Sequence, residues 1–99
     1  MVKHIIIWEF KEGFSAEENR SNAKKIKAGL EGLKGRIDGL TDIRVIIDTL
    51  SSSTGNIMLD STFVNEVALK GYQVNPEHLK VAEFVRTATQ NRKCVDFVE

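Results

Sequence analysis

An α+β fold with its elements in the order β-α-β-β-α-β is what this sequence predicts, and three observations carry the prediction. Strand-like runs stand at both ends of the chain, "VKHIIIWEF" and "RKCVDFVE". Two more, "LTDIRVIIDTL" and "NIMLDSTFV", lie side by side in its middle. Segments with helical spacing separate the middle pair from each end. This order is the split arrangement called ferredoxin-like, a four-stranded antiparallel sheet with the helices on one face.

The first strand puts Val2, His4, Ile6, Trp8 and Phe10 on one face. Its other face carries Ile5 and Ile7 between Lys3 and Glu9, so both faces are apolar at the centre and both call for cover. In "GFSAEENRSNAKKIKAGLEGLKGRI", Ser15 and Glu18 have the spacing of a capping box. Ala23, Ile26, Leu30, Leu33 and Ile37 follow at spacings of one helical face. Gly29, Gly32 and Gly35 have two readings. They weaken or end this helix near Gly35, or they let another backbone or a ligand come close.

A Ser-rich loop, "LSSSTGN", joins the two middle strands. "NEVALKGY" reads as two helical turns stopped by Gly71. Asn75 is then placed as N-cap and Pro76 as first residue of the next helix. The buried side of that helix is predicted as Leu79, Ala82 and Val85 with Val81, Phe84 and Ala88. The last strand has Val95 and Phe97 on one face and Cys94, Asp96 and Val98 on the other. Helices on one side only leave the opposite sheet face, with Ile5 and Ile7, as an apolar patch, which predicts a homodimer closed sheet against sheet about a two-fold axis.

The 99 residues read as a single domain, 1–99. Fourteen Lys plus Arg balance fourteen Asp plus Glu, interspersed along the chain, which argues against nucleic acid and anionic membrane as partners. The one cysteine, Cys94, has no intrachain disulfide partner, and the opening apolar run is too short for a signal peptide. A soluble, reducing, cytoplasmic setting is the expectation.

Tyr72, Asn75 and His78 gather chemistry-bearing groups at the start of the last helix. Asn75 is accounted for as a cap. At the third helical position His78 faces the positive end of the helix dipole, which favours the neutral imidazole a general base needs. The plainer reading makes it a first-turn residue bonded to the preceding loop. Tyr72 either anchors the turn or donates a hydrogen bond to a substrate carbonyl. His4 reads as a hydrogen-bonded core residue or a pocket residue, and Trp8 either stacks on a flat ligand or fills its space. His4, His78 and Cys94 have no zinc-type spacing, so no metal site is predicted. Asp38, Asp42 and Asp48 read as solvated carboxylates. The helical glycines are not a phosphate loop, so no cofactor is predicted. Cys94 reads as a small buried hydrophobe.

"VKHIIIWEFKEGFS", "YQVNPEHLKVAEFVR" and "CVDFVE" together resemble the stress-responsive α/β-barrel (Dabb) family over the whole chain. The resemblance implies a ferredoxin-like fold that dimerises through its sheets into an α+β barrel, and no single activity. A plant polyketide cyclase of the family is similar at Tyr72 and His78, which the resemblance casts as positioning hydroxyl and general base. That cyclase has histidines where this chain has Asn75 and Ile57, which weighs against polyketide cyclisation here. Three functions follow as expectations. The first is a dimeric module holding a small apolar or aromatic ligand near His4, Trp8, Tyr72 and His78. The second is an enzyme, cyclase-like or a lyase, with His78 as base and Tyr72 as hydrogen-bond donor. The third is a stress-protective dimer without ligand.

Overall fold

Val2–Phe10 form β1, the inner strand on which the sheet is built. In the computed structural model, which describes residues 1–99, it is followed by α1 (Ala16–Glu31), β2 (Leu40–Ile46), β3 (Ile57–Phe63), α2 (Glu66–Val74), α3 (Pro76–Ala88) and β4 (Thr89–Val98). The strands lie in the order β2-β3-β1-β4, every neighbouring pair antiparallel, which is the predicted ferredoxin-like sheet. The crossover from β3 to β4 holds both α2 and α3. No helix is long and apolar enough to cross a membrane.

Local signals fix most boundaries. The Ser15 hydroxyl accepts from the Glu18 N–H while the Glu18 carboxylate accepts from the Ser15 N–H, so the capping box is complete. The stripe from Ala23 to Ile37 is buried throughout, its last two members lying in the turn beyond the helix. Gly29 serves close approach between helices: a Cβ there would stand 3.0 Å from Val81 Cγ1 on α3. At the end of α1, Lys27 Nζ donates to the Val45 carbonyl and the Val45 N–H donates to Glu31 Oε2. Side chains of the helix thus satisfy both backbone groups of a residue on an edge strand.

Four readings need correction. β2 ends at Ile46, short of Leu50, because the loop begins before the Ser-rich run. α2 continues through Gly71 to Val74, and what stops it is Pro76, whose ring keeps Asn75 out of helical geometry. Asn75 closes α2 and caps α3, its side chain accepting from the Glu77 N–H. β4 starts at Thr89 and not at Arg92, since the chain leaves α3 already extended at Thr89. Leu79 is 46 % exposed: the inward stripe of α3 runs through Ala82, Val85 and Ala88, and Leu79 lies off it.

The even residues of β1 from Val2 to Trp8 are buried beneath the helices. The odd face is uncovered, with Ile7 at 40 %, Val95 at 58 % and Phe97 at 42 % exposure. Among these apolar groups Asp60 pairs with Lys3 at 2.6 Å and Arg44 at 3.3 Å. The Lys3 hydrogen bond above all holds the Asp60 carboxyl below its ordinary value.

Two glycines make opposite predictions. Gly39 has φ +81°, and a Cβ there would lie 2.4 Å from Ala68 Cβ on α2. Gly39→Ala is expected to cost about 2–4 kcal/mol from strain plus clash. Gly71 lies inside α2 in open space, so Gly71→Ala should gain about 0.5–1 kcal/mol. Denaturant unfolding measures both, and a Gly39→Ala protein as stable as the parent contradicts the tight turn.

Candidate functional site

β1, α2 and α3 meet over the helix-side face of the sheet, and the predicted groups meet there with them. Tyr72, in the last turns of α2, is 1 % exposed. His78, third residue of α3, stacks on it with ring centroids 4.1 Å apart and an interplanar angle of 35°. His4, on β1 and 2 % exposed, meets the other side of Tyr72 edge-on at 6.0 Å. Phe63 backs the row, 5.0 Å from Tyr72 and 6.3 Å from His4. Asn75 stays a cap, as its position implies.

Beside these rings is a cavity of about 210 Å³ touched by His4, Trp8, Tyr72 and His78. Ile6, Leu30, Leu59 and Val85 make much of its apolar wall. Trp8 therefore lines the space instead of filling it, and Phe84 is not part of the wall.

Two polar atoms here are buried without a hydrogen-bond partner, the Tyr72 hydroxyl and His78 Nδ1. Each residue borders the cavity. Burial drives the Tyr72 phenol far above its ordinary value, against an opposing pull from Arg92, so the hydroxyl keeps its proton. Burial likewise pushes His78 down. The Gln73 carbonyl opposes this, and His4, Arg86 and Arg92 add to it by charge. The neutral imidazole predicted from the helix dipole is thus favoured mainly by burial. The pair combines a hydroxyl able to donate with an uncharged imidazole able to accept a proton.

The structure adds residues that sequence spacing does not bring out. His4 Nδ1 lies 2.5 Å from Asp96 Oδ1, a hydrogen bond that orients the imidazole. The register pairs His4 with Asp96 and Ile6 with Cys94, so the alternation already read in the first and last strands, once paired, would have found it. Gln73, Arg86 and Arg92 also line the cavity. Cys94 departs from its reading as a buried hydrophobe: it is exposed, because no helix covers β4 there. Partial burial and the Asp96 carboxylate raise its thiol, which keeps it protonated. The donor atoms of His4, Cys94 and Asp96 lie within 4.8 Å of one another, a set of metal-ligand type that spacing alone does not join. The His4–Asp96 hydrogen bond engages two of its three members.

The family profile of the stress-responsive A/B barrel domain, Dabb, matches residues 2–99. The chain belongs to the Dabb family. No curated protein matches it. Among solved structures, a dimeric protein of unknown function with a ferredoxin-like fold from Bacteroides fragilis is 29 % identical, with TM-score 0.90 over 97 % of this chain and 93 % of its own. A dimeric ferredoxin-like protein of unknown function from Jannaschia is 20 % identical, with TM-score 0.81 over 99 % and 98 %. A hydroxynitrile lyase from Passiflora edulis is 14 % identical, with TM-score 0.74 over 99 % and 92 %, and shares the fold. The Dabb fold agrees with the ferredoxin-like class and the antiparallel sheet predicted from the sequence.

Two outcomes test the site. Tyr72→Phe removes a buried hydroxyl that has no partner, so stability should hold or rise by up to about 1–2 kcal/mol, measured by thermal or denaturant unfolding. A loss of that size would reveal a bond to the hydroxyl. For His78 the folded pKa lies below the unfolded value of 6.5, so the unfolded chain takes up the proton first. Stability is complete above pH 6.5 and should fall as pH drops from there through the folded pKa. The slope in that window should diminish in His78→Gln, and an unchanged pH–stability curve rejects the assignment.

Proposed function

We propose that this Dabb chain is a single domain, 1–99, that forms a homodimer through its sheet faces and binds a small, mainly apolar or aromatic molecule in the cavity beside Tyr72 and His78. One observation carries the binding reading: Tyr72 and His78, each with a buried polar atom that lacks a close hydrogen-bond partner, both line one mainly apolar cavity. Buried polar groups ordinarily have partners, and a ligand supplies them here. Trp8 as a wall residue favours a ligand over a filled, purely stress-protective core. The dimer rests on the uncovered apolar face and on relatives described as dimeric. A cytoplasmic setting agrees with a lone, protonated cysteine.

A second reading makes the site catalytic. A neutral His78 stacked against a protonated Tyr72 suits abstraction of a proton from carbon next to a carbonyl, with Tyr72 donating to the oxygen as charge develops. His4, held by Asp96, contributes to the wall in either reading.

Amide and side-chain NMR shifts on titration with a library of small apolar and aromatic compounds test the binder. Shifts should concentrate at His4, Trp8, Tyr72 and His78, and shifts confined to other surfaces count against it. A panel of carbon acids tests the enzyme: His78→Ala should lower turnover by about 10²–10⁴-fold. Turnover unaffected by the substitution removes His78 from the chemistry. Sedimentation at micromolar concentration should give twice the chain mass, and a monomer refutes the dimer.

A further inference from the structure

The cavity is mainly apolar, yet two guanidinium groups border it, Arg86 on α3 and Arg92 on β4. Neither is in an ion pair, as is also true of Arg36, whereas Arg20 and Arg44 are paired. No carboxylate belongs to the wall. The nearest carboxyl on the same strand face, Asp96, is turned onto His4, and Glu9 accepts from Asn91. Neither charge therefore has a carboxylate within ion-pair distance.

Alternation with Cys94 and Asp96 puts Arg92 on the helix-side face of β4, and the pairing is irregular just before it. Between the pairs Ile7–Lys93 and Glu9–Gln90, β1 spends one residue, Trp8, while β4 spends two, Asn91 and Arg92. This is a β-bulge, with Asn91 at φ 53°. Asn91 and Arg92 together stand opposite Trp8, with Arg92 on the face of Cys94 and Asp96. Bulges commonly re-aim a side chain beside a site. Its charge is felt at both Tyr72 and His78, and that of Arg86 at His78. The unpartnered Tyr72 hydroxyl is an independent sign pointing the same way, since a protonated phenol seeks an acceptor oxygen.

We infer that the ligand is an organic anion, a small carboxylate with an apolar or aromatic body, its acid group on the Arg86–Arg92 side of the cavity and an acceptor oxygen at the Tyr72 hydroxyl. The inference rests on the binding reading and adds the chemical class. Guanidinium groups match planar carboxylates in shape as well as charge. A cavity of about 210 Å³ suits a single-ring body, since an apolar cavity of about 150 Å³ takes up benzene.

Trp8 is the only tryptophan and borders the cavity, so its emission reports occupancy. Phenylacetate, benzoate and hexanoate are titrated beside their neutral amides, with calorimetry as a second readout. The acids should bind at least about tenfold more tightly than the amides. Arg92→Met, and more fully the Arg86→Met/Arg92→Met pair, should bring the acids to the level of the amides and leave the amides unchanged. Both arginines are exposed, and an unaltered unfolding midpoint shows that the fold is intact. Equal affinities for acid and amide, or a preference that survives the double substitution, overturn the anion inference while the pocket stands. Silence from all six compounds in both readouts overturns the pocket reading and this inference together.

Discussion

The alternation of β1 is the constraint from which the rest of the structure follows. A strand places successive residues on opposite faces, and β1 is an inner strand, so both faces matter. Its even residues set the floor of the core and of the cavity, His4, Ile6 and Trp8 in sequence. Its odd residues form the open face with Met58, Asp60 and Thr62 of β3 and Lys93, Val95 and Phe97 of β4. A slip of one residue in register would put Lys3 and Glu9 under the helices and His4 on the open face, destroying core and site at once. The fold is accordingly strict about this strand, whose pairing runs nearly its full length on both sides.

How much was legible follows from the range of each interaction. Local signals read well: Ser15 with Glu18, Asn75 with Pro76, and the alternation of Val2–Phe10 all act within a few residues, and each appears where the pattern puts it. Gly71 misled because glycine both permits a helix to end and tolerates lying inside one. The proline five residues later is the stronger stop. His4, Trp8, Tyr72 and His78 were legible as candidates, and the structure brings all four to one cavity. Asp96 and Arg92 were not, because they meet the site only through long-range pairing of the two ends of the chain. The bulge next to Arg92 is announced by no residue type beyond Asn91, a residue that tolerates left-handed backbone.

Two effects argued for a neutral His78, and magnitude separates them. A helix dipole at a partly exposed terminus is worth about 0.3–1 kcal/mol. Burial acts on the full charge and moves groups by several units when complete. His78 is half-buried, so desolvation leads and the dipole assists. The same burial keeps Tyr72 protonated, so one physical cause sets the two groups in complementary states: a phenol able to donate beside an imidazole able to accept.

The site also sets stability against function. Burying the Tyr72 ring contributes roughly 1.5–3 kcal/mol, and leaving its hydroxyl buried without a partner costs about 1–3 kcal/mol. The two nearly cancel, so Tyr72 adds little that phenylalanine would not exceed. His78 Nδ1 repeats the cost. In a domain whose total stability is about 5–15 kcal/mol, two such groups on one cavity are a large concession. An apolar core would avoid it without altering the sheet or the helices. Folding alone does not call for the residue types at these two positions, whereas the bound molecule proposed above would supply an acceptor to the hydroxyl and a partner to the imidazole. Such a molecule would stabilise the folded chain in proportion to its occupancy, because only the folded state assembles β1, α2 and α3 around it.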